Sequence, residues 1–181
     1  FFIIFNIFMV LAQDYNSVKD ELELCTSCHG PTGGESIDNS IPVLSGQHFY
    51  YLYVQLKDMA SESRKSEIMT PIAQMLDKNK MKILAQFFSE KMWPVNAYEG
   101  TKDKIELGYI GTVGGQCVQC HRGGYEGDSQ IPRLAGQKKE YLENTMLDFK
   151  NKIRNNSPAK SALLKSYSDE EISAIAEYLS S

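Results

Sequence analysis

Phe1 to Ala12 is apolar at every position but Asn6. Beyond it, apolar residues come in clusters separated by polar stretches holding Gly and Pro, and the clusters occur twice. The first set predicts a short helix from about Ser17 into Cys25, a second from about Gln47 to Ser63, and a third from about Asp77 to Lys91. The second set predicts helices from about Lys102 into Cys117, from Gln137 to Ile153, and from Ser168 to Ser180. Ser168-Asp169-Glu170-Glu171 places a carboxylate three residues after a serine, the pattern of a capping box.

The two sets are copies. Ile41-Pro42-Val43-Leu44-Ser45-Gly46-Gln47 matches Ile131-Pro132-Arg133-Leu134-Ala135-Gly136-Gln137 at an offset of 90, as do Tyr51-Leu52 with Tyr141-Leu142, Asp58 with Asp148 and Arg64 with Arg154. The terminal segments Leu84–Ser89 and Ile175–Ser180 match at an offset of 91, so the second copy has one extra residue after Arg154. Pro94 stops the preceding helix and marks the boundary. The expected division is 1–12, 13–94 and 95–181.

The apolar start is too short for a helix that crosses a bilayer. It has the character of the apolar region of a secretory signal, with Val10-Leu11-Ala12 as a cleavage site, or of a membrane tether. Either places the rest of the chain outside the cytoplasm. The 181 residues are 42% hydrophobic, enough for packed cores, and the net charge of −4 gives no basic excess for nucleic acid.

The four cysteines change the picture most. Cys25 and Cys28 are followed by His29, and Cys117 and Cys120 by His121. Cys-x-x-Cys-His is the attachment motif of c-type haem: two thiols join the porphyrin edge, and the next imidazole reaches the iron. A thioredoxin-like pair requires neither the histidine nor the repetition. Two disulfides, or a four-ligand zinc site, leave the histidine after each pair unexplained. A haem in each half also supplies apolar burial that units of about 80 residues lack.

With these motifs the chain resembles the dihaem class I cytochromes c of the cytochrome c-four type, and is similar in plan to the cytochrome subunit of flavocytochrome c sulfide dehydrogenase. The resemblance spans residues 17–181. It implies an all-α fold of two tandem class I cytochrome c domains, each wrapped around one covalently bound haem c. It also implies that the backbone carbonyls of Pro42 and Pro132 receive the proximal histidines' Nδ1–H. The implied activity is periplasmic electron transfer from a quinol-oxidising complex or dehydrogenase to a terminal oxidase or reductase. The alternative is an electron-accepting subunit, or a small haem enzyme, in sulfur-compound oxidation.

Family members place a methionine on the distal side of the iron. In the first half Met69 occupies that place, while Met59, Met75 and Met81 read as packing residues. In the second half the matching residue is Lys160, and Met146 falls on the middle helix. Three states of the second haem are open at this point: ligation by the Lys160 amine, a five-coordinate iron open to a small ligand, or ligation by Met146. His48, the one histidine outside the motifs, matches Lys138 and reads as a surface or edge residue.

Overall fold

The computed structural model describes residues 15–95 and 98–181; the apolar start with its expected cleavage site, Gln13, Asp14 and the Asn96-Ala97 part of the boundary lie outside them. A 3-10 turn, Tyr15–Val18, leads into α1 (Lys19–His29), followed by α2 (Phe49–Ala60), α3 (Met69–Gln74) and α4 (Lys78–Ser89). The second half contains α5 (Lys102–Gly114), α6 (Val118–His121), α7 (Lys139–Lys150), α8 (Pro158–Leu164) and α9 (Asp169–Ser180). Among the described residues the one β pairing is an isolated bridge, Asp128 with Ile131. None of these helices is long and apolar enough to cross a membrane.

Local chemistry explains where the long helices start. The Asp77 carboxylate accepts from the Asn79 and Lys80 amides, each at 2.8 Å, and so satisfies two free donors of α4. Ser168 Oγ accepts from Glu171 N (3.2 Å) while Glu171 Oε2 accepts from Ser168 N (2.7 Å), closing the capping box on α9. The helices α2 and α7 begin two residues later than the apolar pattern predicts. Gln47 and His48, like Gln137 and Lys138, stay outside the helix because their side chains bond to the other half. The short helices α3 and α8 were not among the predicted elements. In the second half the helix into the cysteine motif is also broken between α5 and α6, where Gln116 takes a left-handed φ of 51°.

Each half has its own apolar cluster. In the first, Val18, Leu52, Tyr53, Leu84 and Phe88 are among nine buried residues. In the second, Tyr125, Leu142, Ile175, Ala176 and Leu179 form a smaller one. The second half also crosses α5 closely against α9: a Cβ on Gly108 would lie 2.1 Å from Ala174 O. In both halves the proline loop is tied to the last turn of the terminal helix. Gly46 N donates to Phe88 O (2.9 Å) and Gly136 N to Leu179 O (2.8 Å), with both glycines at positive φ.

The halves meet through bonds that repeat with the sequence. His48 Nε2–H donates to the Glu126 carbonyl at 2.8 Å, and its counterpart Lys138 donates to the Ser36 carbonyl at 3.3 Å. Glu126 and Ser36 are themselves 90 residues apart. His48 is thus a junction residue rather than a surface one.

Candidate functional site

A single cavity of ≈ 690 Å³ is lined from both halves. Cys25, Cys28, His29, Pro42 and Met69 line it on one side; Cys117, Cys120, His121, Pro132 and Lys160 line it on the other. All ten residues singled out in the sequence therefore face one space. The rest of the lining is mostly apolar, including Leu52, Leu84 and Phe88 in the first half and Leu142, Ile175 and Leu179 in the second.

The two histidines are held alike. His29 Nδ1 lies 3.1 Å from Pro42 O, and His121 Nδ1 lies 2.9 Å from Pro132 O. A carbonyl only accepts, so each Nδ1 carries the proton and Nε2 is left as the lone-pair nitrogen. Burial pushes both imidazoles toward the neutral form, against the opposing pull of the proline carbonyls. Neutral imidazole with a fixed tautomer is the form that binds a metal.

The thiols differ from those of a redox-active pair. Burial, assisted by Glu21, raises Cys25 to about 11, and burial also raises Cys117. A thioredoxin-like pair needs a thiol shifted in the opposite direction. No disulfide joins the four cysteines. Among the described residues, no three His, Cys, Asp or Glu side chains come together as a metal-ion site.

On the distal side, Met69 is the first residue of α3 and its amide bonds to Ser66 Oγ at 3.1 Å. Met59 is buried and also lines the cavity. Met81 is buried in the first cluster, as a packing residue should be, but Met75 is 66% exposed and does not belong to that core. In the second half, Lys160 on α8 is half-buried, with Nζ 5.3 Å from the centroid of the Phe149 ring. Burial, then the nearby Arg154, lowers its amine to about 8. Met146 lines the same side of the cavity from α7.

One part of the site was not foreseen. Gln55, Arg64, Tyr141 and Arg154 line the cavity where the halves meet. Arg64 donates to Tyr141 Oη at 3.2 Å, and both arginines donate to Gln55. Burial alone would raise the Tyr141 hydroxyl, but Arg64 and Arg154 overcome it and bring it to about 7. Two guanidiniums, one from each half, thus meet at this point of the cavity. Its signal in the sequence was the repetition of Arg64 as Arg154, a polar identity that no apolar core requires.

The site fits haem c on each side: two thiols, a neutral histidine held by a carbonyl, apolar walls, and cations where a cofactor's carboxylates need partners. The cytochrome c family profile matches residues 112–181. The chain is 32% identical over 167 residues to cytochrome c4 of Thiocapsa roseopersicina, covering 86% of this chain and 85% of that protein. It is 30% identical over 165 residues to the thiosulfate dehydrogenase electron acceptor of Stutzerimonas stutzeri, covering 85% and 76%. The cytochrome c4 structure from Acidithiobacillus ferrooxidans superposes with a TM-score of 0.77 at 30% identity, covering 86% of this chain and 97% of that one.

Proposed function

The chain belongs to the cytochrome c4 family, electron-transfer proteins with two covalently bound haem c groups, and from that premise we propose that it is a periplasmic carrier passing single electrons between a respiratory donor and a terminal oxidase or reductase. The observation that carries the reading is the duplicated contact of His29 with Pro42 and His121 with Pro132, both beside a cysteine pair on one cavity. Cys25 and Cys28 would attach one haem and Cys117 and Cys120 the other, in domains spanning 13–94 and 95–181. His29 and His121 would be the proximal ligands, Met69 the distal ligand of the first iron and Lys160 that of the second.

The iron supplies the one-electron chemistry. The chain's own residues set its conditions. The proline carbonyls orient the imidazoles and raise their basicity. The apolar walls exclude water and favour the less charged state of the centre. A thioether ligand raises a haem's potential, and a nitrogen ligand in its place lowers it. Met69 opposite Lys160 would make the first haem the site where an electron prefers to reside.

A second reading is favoured by the relative in Stutzerimonas stutzeri: this chain would accept electrons from a thiosulfate-oxidising dehydrogenase. Redox titration of the holoprotein followed optically tests the carrier. Two one-electron steps at separate potentials, with both reduced haems indifferent to CO, are expected. CO binding to the reduced wild-type protein together with turnover of a sulfur oxyanion would replace the carrier by an enzyme. Rapid haem reduction only when thiosulfate and a thiosulfate dehydrogenase are both added would select the second reading.

A further inference from the structure

The prolines that hold the two histidines are each followed by a residue clamped from the opposite half. Gln137 Oε1 accepts from Val43 N at 2.8 Å, and Gln137 Nε2 donates to Val43 O at 3.0 Å. In the mirror arrangement, Gln47 Oε1 accepts from Arg133 N at 2.9 Å, and Gln47 Nε2 donates to Arg133 O at 3.1 Å. Both glutamines are 3% exposed, so no water competes for these bonds.

The Pro42 carbonyl and the Val43 N–H belong to one planar peptide group. His29 Nδ1–H, that peptide and Gln137 Oε1 therefore form a chain of bonds in series. His121, the Pro132–Arg133 peptide and Gln47 form the second chain. A peptide whose N–H is engaged becomes a better acceptor at its oxygen, by roughly 10–30% per bond. The same two-point clamp fixes the rotation of the peptide plane, and so the direction from which the carbonyl meets the imidazole.

We infer that each glutamine is a positioning residue for the other half's proximal histidine: Gln137 for His29 and Gln47 for His121. This rests on the reading of His29 and His121 as iron ligands. Its consequence is crossed. A change in the second half tunes the first haem, and a change in the first half tunes the second. Weakening the carbonyl's hold leaves the imidazole less basic, which disfavours oxidised iron and raises that haem's potential.

The test uses holoprotein with Gln137→Met and Gln47→Met, which keep side-chain length and remove the polar atoms. Each haem is followed by its potential and by the paramagnetically shifted proton resonances of its histidine ring. Gln137→Met is expected to raise the potential of the first haem and move the His29 resonances, leaving the second haem unchanged; Gln47→Met should do the reverse. If either Met variant moves the haem of its own half, moves both equally or moves neither, the inference is overturned. A wild-type spectrum without two sets of ligated-histidine resonances would instead remove the ligand reading on which it stands.

Discussion

Arg64 and Arg154, one from each half, close on the same oxygen, Gln55 Oε1, at 2.9 and 2.7 Å. Two cations share one neutral acceptor. A carboxylate joins the network through Asn156, which accepts from Arg154 Nε at 3.0 Å and donates to Asp58 at 2.7 Å. Replacing Gln55 with Leu leaves both guanidiniums short of an acceptor in a site where Arg154 is 5% exposed. The expected loss is about 1–3 kcal/mol, read from denaturant unfolding of the holoprotein. A loss under a few tenths would mean that other groups hold the arginines.

The crossing of α5 and α9 depends on the absence of a side chain at Gly108. A Cβ there would stand 2.1 Å from Ala174 O and 2.7 Å from Tyr178 Cβ, and the backbone oxygen cannot swing aside. Gly108→Ala is expected to destabilise the chain by about 1–3 kcal/mol through overpacking. Gly123→Ala, with nothing within 4 Å of the new carbon, serves as the control and should be near neutral.

Tyr15 Oη donates to Glu90 Oε2 at 2.5 Å and its ring packs edge-on against Phe87. Burial and then the bond to Glu90 raise the Tyr15 hydroxyl to about 12, while the same bond lowers the Glu90 carboxyl. A raised hydroxyl contributes stability that is complete below its ordinary value of 10.0 and is lost as pH rises toward about 12. A lowered carboxyl contributes stability present above its ordinary 4.5 and lost as pH falls below it. Tyr15→Phe keeps the ring contact. The difference in thermal midpoint between Tyr15→Phe and the parent should therefore be constant between those limits and shrink beyond each. A difference that does not vary with pH would exclude the bond as its source.

The sequence carried α4 and α9 best, because each has one apolar face and a local cap, Asp77 and Ser168. It did not carry α3 and α8, which have six and seven residues and span under two turns, too few for periodicity to show. Met75 reads as core by residue type alone, yet its place at the end of α3 turns it to solvent. Six of the ten residues facing the cavity were legible because the attachment motif is compact and repeated; Pro42, Pro132 and Met69 came from the resemblance, and Lys160 from matching the two halves. The junction was not, because Gln47, His48 and Arg64 are polar and their partners in the other half lie 77 to 86 residues away. Pattern reading assigns such residues to the surface until the other half is placed against them.

Met69 and Met59 both line the first half's cavity, and variants separate their roles. Met69→Ala is expected to abolish the sulfur-to-iron charge-transfer band of the first oxidised haem and to lower its potential. Met59→Leu should leave the band in place and cost only a modest packing loss, about 1 kcal/mol. The opposite pattern would transfer the ligand role to Met59.

Lys160 stands in the second half where Met69 stands in the first, half-buried on α8 with its amine over the Phe149 ring. An amine that only covers that ring would leave the second haem's spectrum unchanged when removed. An amine bound to iron would not. Lys160→Ala is expected to open the iron, so that the reduced second haem takes up CO while the first does not. Lys160→Met supplies a thioether from the same backbone position. It should bring a second sulfur-to-iron band and raise the potential of the second haem toward that of the first. Met146 also faces this side of the cavity, and Met146→Leu is the necessary companion. If Met146→Leu alone alters the second haem and both Lys160 variants do not, the ligand is the methionine of α7. If none of the three alters it and CO binds the parent protein, the iron is open and the carrier reading gives way to a catalytic one.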